Sequence, residues 1–136
     1  MGAIETEGST FLIDTHVLLW WLFGDARLSS RAYDIIQSPD HEIFVSSACG
    51  WEISTKYRLG KLPHAGEAVN HLPVLLQRSH MAVLSITLEH AMAAGALPGP
   101  HRDPFDRMLI AQSQLERLPI VTNDKAFRDY PVSIIW

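Results

Sequence analysis

The chain is 136 residues long, 47% hydrophobic and 19% charged, a size and balance that fit one globular domain with its own core and exclude a disordered segment. Eleven Lys and Arg against fifteen Asp and Glu give a net charge of −4, so no global basic field marks a nucleic-acid binder, although acids gathered around a cation would leave the remaining surface near neutral. The apolar run 17–23 falls short of the roughly 18 residues a membrane span needs, no basic-then-apolar signal opens the chain, and the single Cys49 excludes an internal disulfide, so a cytoplasmic protein with no membrane partner is expected.

Residues 1–9 read as an N-terminal extension or an expression remnant, and 10–136 as a single domain. A β-prone run at 10–14 ends in Asp14 and passes directly into an apolar helix at 17–23 closed by Gly24. A capping serine in Leu28-Ser-Ser-Arg31 opens a second helix through Ile36, which Pro39-Asp40 breaks. A strand at 42–45 follows, then a helix capped by Ser46-Ser47 that runs to Leu59 and Gly60. Leu62-Pro63 opens a loop. A helix between 66 and 79, a strand at 82–86 and a helix from the Thr87 cap through Leu97 come next, ended by Pro98-Gly99-Pro100. The helix after Pro104 leads to a strand at 118–122, a short helix at 125–129 capped by Asp124, and an edge strand at 132–135. Alternating strands and helices with short turns predict an α/β domain around a mostly parallel sheet, in which ligands sit beyond the carboxyl ends of the strands.

Four acids fall at such positions. In His101-Arg-Asp-Pro-Phe-Asp-Arg-Met-Leu-Ile110, Pro104 suits the first helical position, which places Asp103 at the N-cap and Asp106 at N3. Asp14 closes the first strand, Asp124 lies just past the strand at 118–122, and Glu52 stands nearly two turns into the helix after the second strand, beside Trp51. Each has an ordinary structural explanation: Asp14, Asp103 and Asp124 as caps, Asp106 as a first-turn acid, and Glu52 as the partner of Lys56 at i, i+4 on a solvated face. Four acids at equivalent mouths exceed what capping requires. Crowded carboxylates repel and protonate unless a hard divalent cation takes the charge, and oxygen-only ligands suit Mg²⁺ or Mn²⁺. Such a site can activate water and stabilise phosphorus in a nuclease reaction. The seven histidines show no metal-binding spacing, and no nucleophile elbow, phosphate loop or Cys pair is present. His16 and His101 lie nearest the acids.

These residues resemble the PIN-domain ribonucleases, in particular the VapC-like toxins of bacterial toxin–antitoxin pairs. Leu12-Ile-Asp14-Thr-His16 is similar to the family's opening strand and first acid, and the stretch 46–62, with Trp51-Glu52-Ile53 and Gly60-Lys61, to its second block. The stretch 101–111 resembles the third block and Val121-Thr122-Asn-Asp124 the fourth. By that resemblance Asp14, Glu52, Asp106 and Asp124 form the metal-binding and catalytic quartet, with Asp103, His16 and Thr122 as supporting positions. Position 16 departs from the pattern, because many members carry Asn there. The resemblance implies a three-layer sandwich with a five-stranded, mostly parallel sheet flanked by helices. It also implies Mg²⁺- or Mn²⁺-dependent endonucleolytic cleavage of RNA, homodimerisation, and a small antitoxin protein as partner. Lys56, Arg58, Lys61, Arg102 and Arg107 are the cations nearest the expected rim and the candidates for phosphate contacts. Trp20, Trp21 and the 69–76 stretch offer apolar surface for assembly.

Two other readings stand beside this one. A Mg²⁺-dependent phosphohydrolase would use Asp14 as nucleophile, but its pattern wants a second Asp where His16 stands. A non-catalytic interaction module would use the acids as caps only.

Overall fold

The structure, a computed structural model, describes residues 9–136; the extension expected over 1–9 lies, apart from Ser9, outside the described residues. The elements are β1 (Thr10–Ile13), α1 (Thr15–Phe23), α2 (Ser30–Gln37), β2 (Glu42–Ser46), α3 (Ser47–Arg58), α4 (Gly66–Arg78), β3 (Met81–Leu84), α5 (Leu88–Ala96), α6 (Pro104–Glu116), β4 (Ile120–Val121) and β5 (Ile134–Ile135), with 3₁₀ turns at Pro63–Ala65 and Lys125–Asp129.

Local chemistry sets most of these boundaries. Asp14, Ser29, Ser46, Thr87, Asp103 and Asp124 each accept a backbone N–H at a helix or turn start, and Gly24 closes α1 at a left-handed φ of 62° that disfavours a side chain. Four elements differ from expectation, of which the strands foreseen at 118–122 and 132–135 shorten to Ile120–Val121 and Ile134–Ile135. The 66–79 helix is kinked: His71 leaves helical geometry at φ −133°, because Pro73 has no N–H and its ring crowds the carbonyl one turn earlier. The third strand stops at Leu84, and Ser85 to Thr87 carry the chain out of the sheet to the α5 cap.

The strands run in the order β3-β2-β1-β4-β5, and every pairing among them is parallel. Right-handed crossovers put the β1–β2–β3 connections on one face of the sheet and the return from β3 to β4 on the other, which makes three layers. Central β1 is covered on both faces: Leu12 and Ile13 have no exposed surface and pack with Val17, Leu18, Val45, Ile53, Leu109, Ile110, Ile120 and Phe127. Burying each large aliphatic side chain of this set contributes about 1.5–3 kcal/mol. Trp21, expected as open surface, is half-buried: its indole N–H donates to Ser79 Oγ at 3.0 Å and its ring lies 5.4 Å from Tyr33. No helix among the described residues is long and apolar enough to cross a membrane.

Between α5 and α6 a buried histidine meets a surface acid. His90, 2% exposed, accepts the Thr87 N–H on Nδ1 at 3.0 Å, which leaves the proton on Nε2 to donate to Glu116 at 2.8 Å.

Candidate functional site

The sheet order reverses between β1 and β4, and a crevice opens at their carboxyl ends. Asp14 stands there, 4% exposed, with Oδ1 accepting the Val17 N–H at 2.8 Å and Oδ2 accepting the Thr122 hydroxyl from the end of β4. The same Thr122 oxygen accepts the Asp124 N–H at 3.0 Å, so one side chain ties both acids to the strand ends. Asp124 is exposed and caps its 3₁₀ turn through the Ala126 N–H at 2.9 Å.

Glu52 reaches the same region from α3. Its Oε1 accepts the Thr15 hydroxyl at 2.6 Å and its Oε2 the Lys56 ammonium at 2.5 Å. The i, i+4 pair foreseen on a solvated face therefore exists on a carboxylate only 3% exposed, because α3 turns Glu52 inward beside Cys49 and Ile53. On α6, Asp103 is the cap, accepting the N–H groups of Phe105 at 2.9 Å and Asp106 at 3.2 Å. Asp106 is free of that duty, and its Oδ2 meets His101 Nε2 at 2.9 Å.

The charges act on one another. Burial raises the Asp14 pKa and the nearby Asp124 charge adds to this, against the Thr122 and Val17 hydrogen bonds and the His16 charge. Burial likewise pushes Asp106 up to about 6, with the charges of Asp103 and Glu52 in the same sense and the His101 hydrogen bond opposed. Burial alone would lower the Lys56 pKa, but the hydrogen bond and charge of Glu52, helped by Asp103 and Asp106, outweigh it and raise it. The Cys49 thiol is pushed up to about 12 by burial and by the Asp14 and Glu52 charges, which makes it inert as a nucleophile. The acids thus form two interacting neighbourhoods, Asp14 with Asp124 and Glu52 with Asp106, joined through Thr15. Oxygen-only donors, with Asp14 and Asp106 held at raised pKa by burial, fit a hard divalent cation by chemistry. No three His, Cys, Asp or Glu side chains among the described residues close on one point; Lys56 supplies positive charge there, and His101 a hydrogen bond to Asp106.

Arg58, Lys61 and Arg102 are exposed, whereas Arg107 is half-buried and spends its guanidinium on backbone carbonyls. Its guanidinium donates to the carbonyls of Ala94, Gly95, Leu97 and His101 at 2.6–3.4 Å, because it lies under the end of α5, where helix carbonyls have no partners of their own. His16 is exposed, 6.1 Å from the Trp20 ring. It lines an open cleft with Asp14, Trp20, Arg27, Asn123 and Asp124. Two participants carried no local signal: Thr15, whose bond to Glu52 spans 37 positions, and Arg27, which sits 5.2 Å over the Trp20 ring from a loop.

The sequence profile of the PIN domain matches residues 11–132. Ribonuclease VapC22 of Mycobacterium tuberculosis is 29% identical over 123 residues, 90% of this chain and 92% of that protein. Ribonuclease VapC16 of the same organism is 34% identical over 79 residues, 58% of this chain and 55% of its own length. Among solved structures, VapBC2 from Rickettsia felis bound to a promoter DNA fragment superimposes with a TM-score of 0.64 at 14% identity, covering 93% of this chain and 97% of that one. A toxin–antitoxin complex from Klebsiella pneumoniae gives 0.58 at 21% identity, covering 93% and 96%. At these identities the structural likeness speaks to the fold.

Proposed function

The chain belongs to the PIN domain family, and from that premise we propose that it is an Mg²⁺- or Mn²⁺-dependent endoribonuclease, the toxin of a toxin–antitoxin pair, working in the cytoplasm as a homodimer held in check by an antitoxin protein. The carrying observation is the pair of buried carboxylates Asp14 and Glu52, joined through Thr15 at the sheet's reversal point, with Asp106 and Asp124 adding charge from either side. Relatives named ribonucleases and neighbours that are toxin–antitoxin complexes support the substrate and the partner.

The chain's own groups prepare the site. The Val17 N–H and the Thr122 hydroxyl hold the Asp14 carboxylate, and Thr15 and Lys56 hold Glu52, while carboxylate oxygens keep further lone pairs for a cation. A bound Mg²⁺ or Mn²⁺ supplies charge to offset the acids and Lewis acidity toward the phosphoryl group and the attacking water. Exposed Arg58, Lys61 and Arg102 attract the RNA phosphates that the acids alone would repel. The water oxygen bonds to phosphorus as it gives up a proton, the bond from phosphorus to the ribose oxygen breaks, and that oxygen takes up a proton in exchange, so that one water is consumed per bond cleaved. The phosphohydrolase reading gains nothing, since position 16 holds an exposed His.

The test is incubation of metal-free protein with a mixed RNA pool, with and without Mg²⁺ or Mn²⁺, beside Asp14→Asn. Cleavage that needs the ion and vanishes in the variant is expected. Cleavage that survives either change overturns the proposal.

A further inference from the structure

Beside the acids stands an aromatic pair that the reaction above does not use. Trp51 on α3 is 57% exposed, and its ring lies 4.6 Å from that of half-buried Phe105 on α6, edge-on at 74°. Each precedes an acid by one residue, Trp51 before Glu52 and Phe105 before Asp106, and those two acids feel each other's charge. Clasping α3 to α6 accounts for the contact but not for the exposure, since an indole retained for packing gains by being buried. An edge-on contact covers at most one face of a ring, and more than half of Trp51 is open to solvent.

We propose that Trp51, braced by Phe105, is a stacking platform for one unpaired base of the RNA strand next to the scissile phosphate, so that the site selects single-stranded over duplex RNA. The inference rests on the ribonuclease reading. Aromatic faces bind bases of any sequence by stacking, and a base inside a duplex has no free face to offer. Arg58 follows Trp51 at i+7, on the same side of α3 and about 10 Å along its axis, and is exposed. An aromatic face followed by a cation is the combination that tracks a single strand, with the base on the ring and a neighbouring phosphate on the guanidinium. Stacking is also electrically neutral, so it operates beside uncompensated carboxylates where phosphate contacts are opposed.

The test measures binding of labelled single-stranded RNA to the metal-free full chain by fluorescence anisotropy, using an intact strand and a series with one abasic position walked along it. Wild type, Trp51→Ala and Trp51→Phe are compared, and Phe105→Leu tests the brace; thermal melts verify folding. In wild type one abasic position should weaken binding about five- to a hundredfold. Trp51→Ala should show that loss on the intact strand and no further loss from the abasic position, while Trp51→Phe recovers most of it. With Mn²⁺ added, KM should rise in Trp51→Ala while kcat stays within about threefold. An abasic penalty that persists in Trp51→Ala, or RNA binding and cleavage equal to wild type, overturns the platform and leaves the ribonuclease reading standing. A wild type that neither binds nor cleaves RNA overturns both.

Discussion

Asp103 and Asp106 lie on one helical turn and do different things. Asp103 accepts two backbone N–H groups, so Asp103→Ala should cost about 1 kcal/mol of stability, read from thermal melts, and change cleavage little. Asp106 accepts none of these. Asp106→Asn should leave the fold intact while lowering Mn²⁺ affinity and reducing cleavage by orders of magnitude, because it removes a full charge from the site. Equal Mn²⁺ affinity by titration calorimetry in wild type and Asp106→Asn would end that assignment. The same residue sets a pH dependence. With a folded pKa of about 6 against an ordinary 3.8, it holds its proton more tightly in the folded state. Its contribution is therefore full below the unfolded value and is lost as pH rises through about 6, and buried Asp14, also raised, acts in the same direction. The metal-free protein should lose on the order of 2 kcal/mol between about pH 4 and pH 7, measured by denaturant midpoints, and Asp106→Asn should flatten that slope. Lys56 is the complementary case. Lys56→Met strands a buried Glu52 and should cost about 1–3 kcal/mol without metal, with part of the loss recovered on adding Mn²⁺.

The Arg107 strap decides how α5 hands the chain to α6. Four carbonyls from the end of α5 and the following turn converge on one guanidinium, which fixes the approach of Asp103 and Asp106 to the rim. Arg107→Met should cost about 2–3 kcal/mol in thermal or denaturant melts and leave the salt dependence of RNA binding unchanged. Arg58→Ala and Lys61→Ala should each reduce that slope by about 1 with little effect on stability. A steeper loss of slope in Arg107→Met than in Arg58→Ala would show that the strap faces phosphate after all. This contrast also marks what the sequence can convey. Caps at Asp14, Ser29, Ser46, Thr87, Asp103 and Asp124 are local, a side chain meeting an N–H two or three residues on, so they are legible along with most element boundaries. Arg107 turning inward, Thr15 meeting Glu52 and Thr122 meeting Asp14 depend on partners between 6 and 108 positions away, and no spacing rule reaches them. The α4 kink lies between: Pro73 is visible, but whether the chain bends or stops there is decided by packing.

At the scale of the whole molecule, the parallel sheet with its reversal between β1 and β4 is what makes separate acids neighbours, since it gathers the ends of distant strands at one crevice. The fold was legible because alternating elements with short turns leave few other topologies, and the Glu52–Lys56 pair was legible from its i, i+4 spacing, whereas the burial of that pair and the bond from His101 to Asp106 were not, since they depend on side-chain directions at the crevice. The chain's single thiol sits behind that crevice, with 1% of Cys49 exposed beside Asp14 and Glu52. A thiol reagent cannot reach it in the closed structure, so the labelling rate of the native chain reports opening of the core around those two carboxylates. An ion gripped by the acids should slow the labelling in proportion to its occupancy, and Asp14→Asn should label at the same rate with or without Mn²⁺. Labelling that slows with Mn²⁺ in the wild type and not in Asp14→Asn would report ion binding without any RNA in the tube.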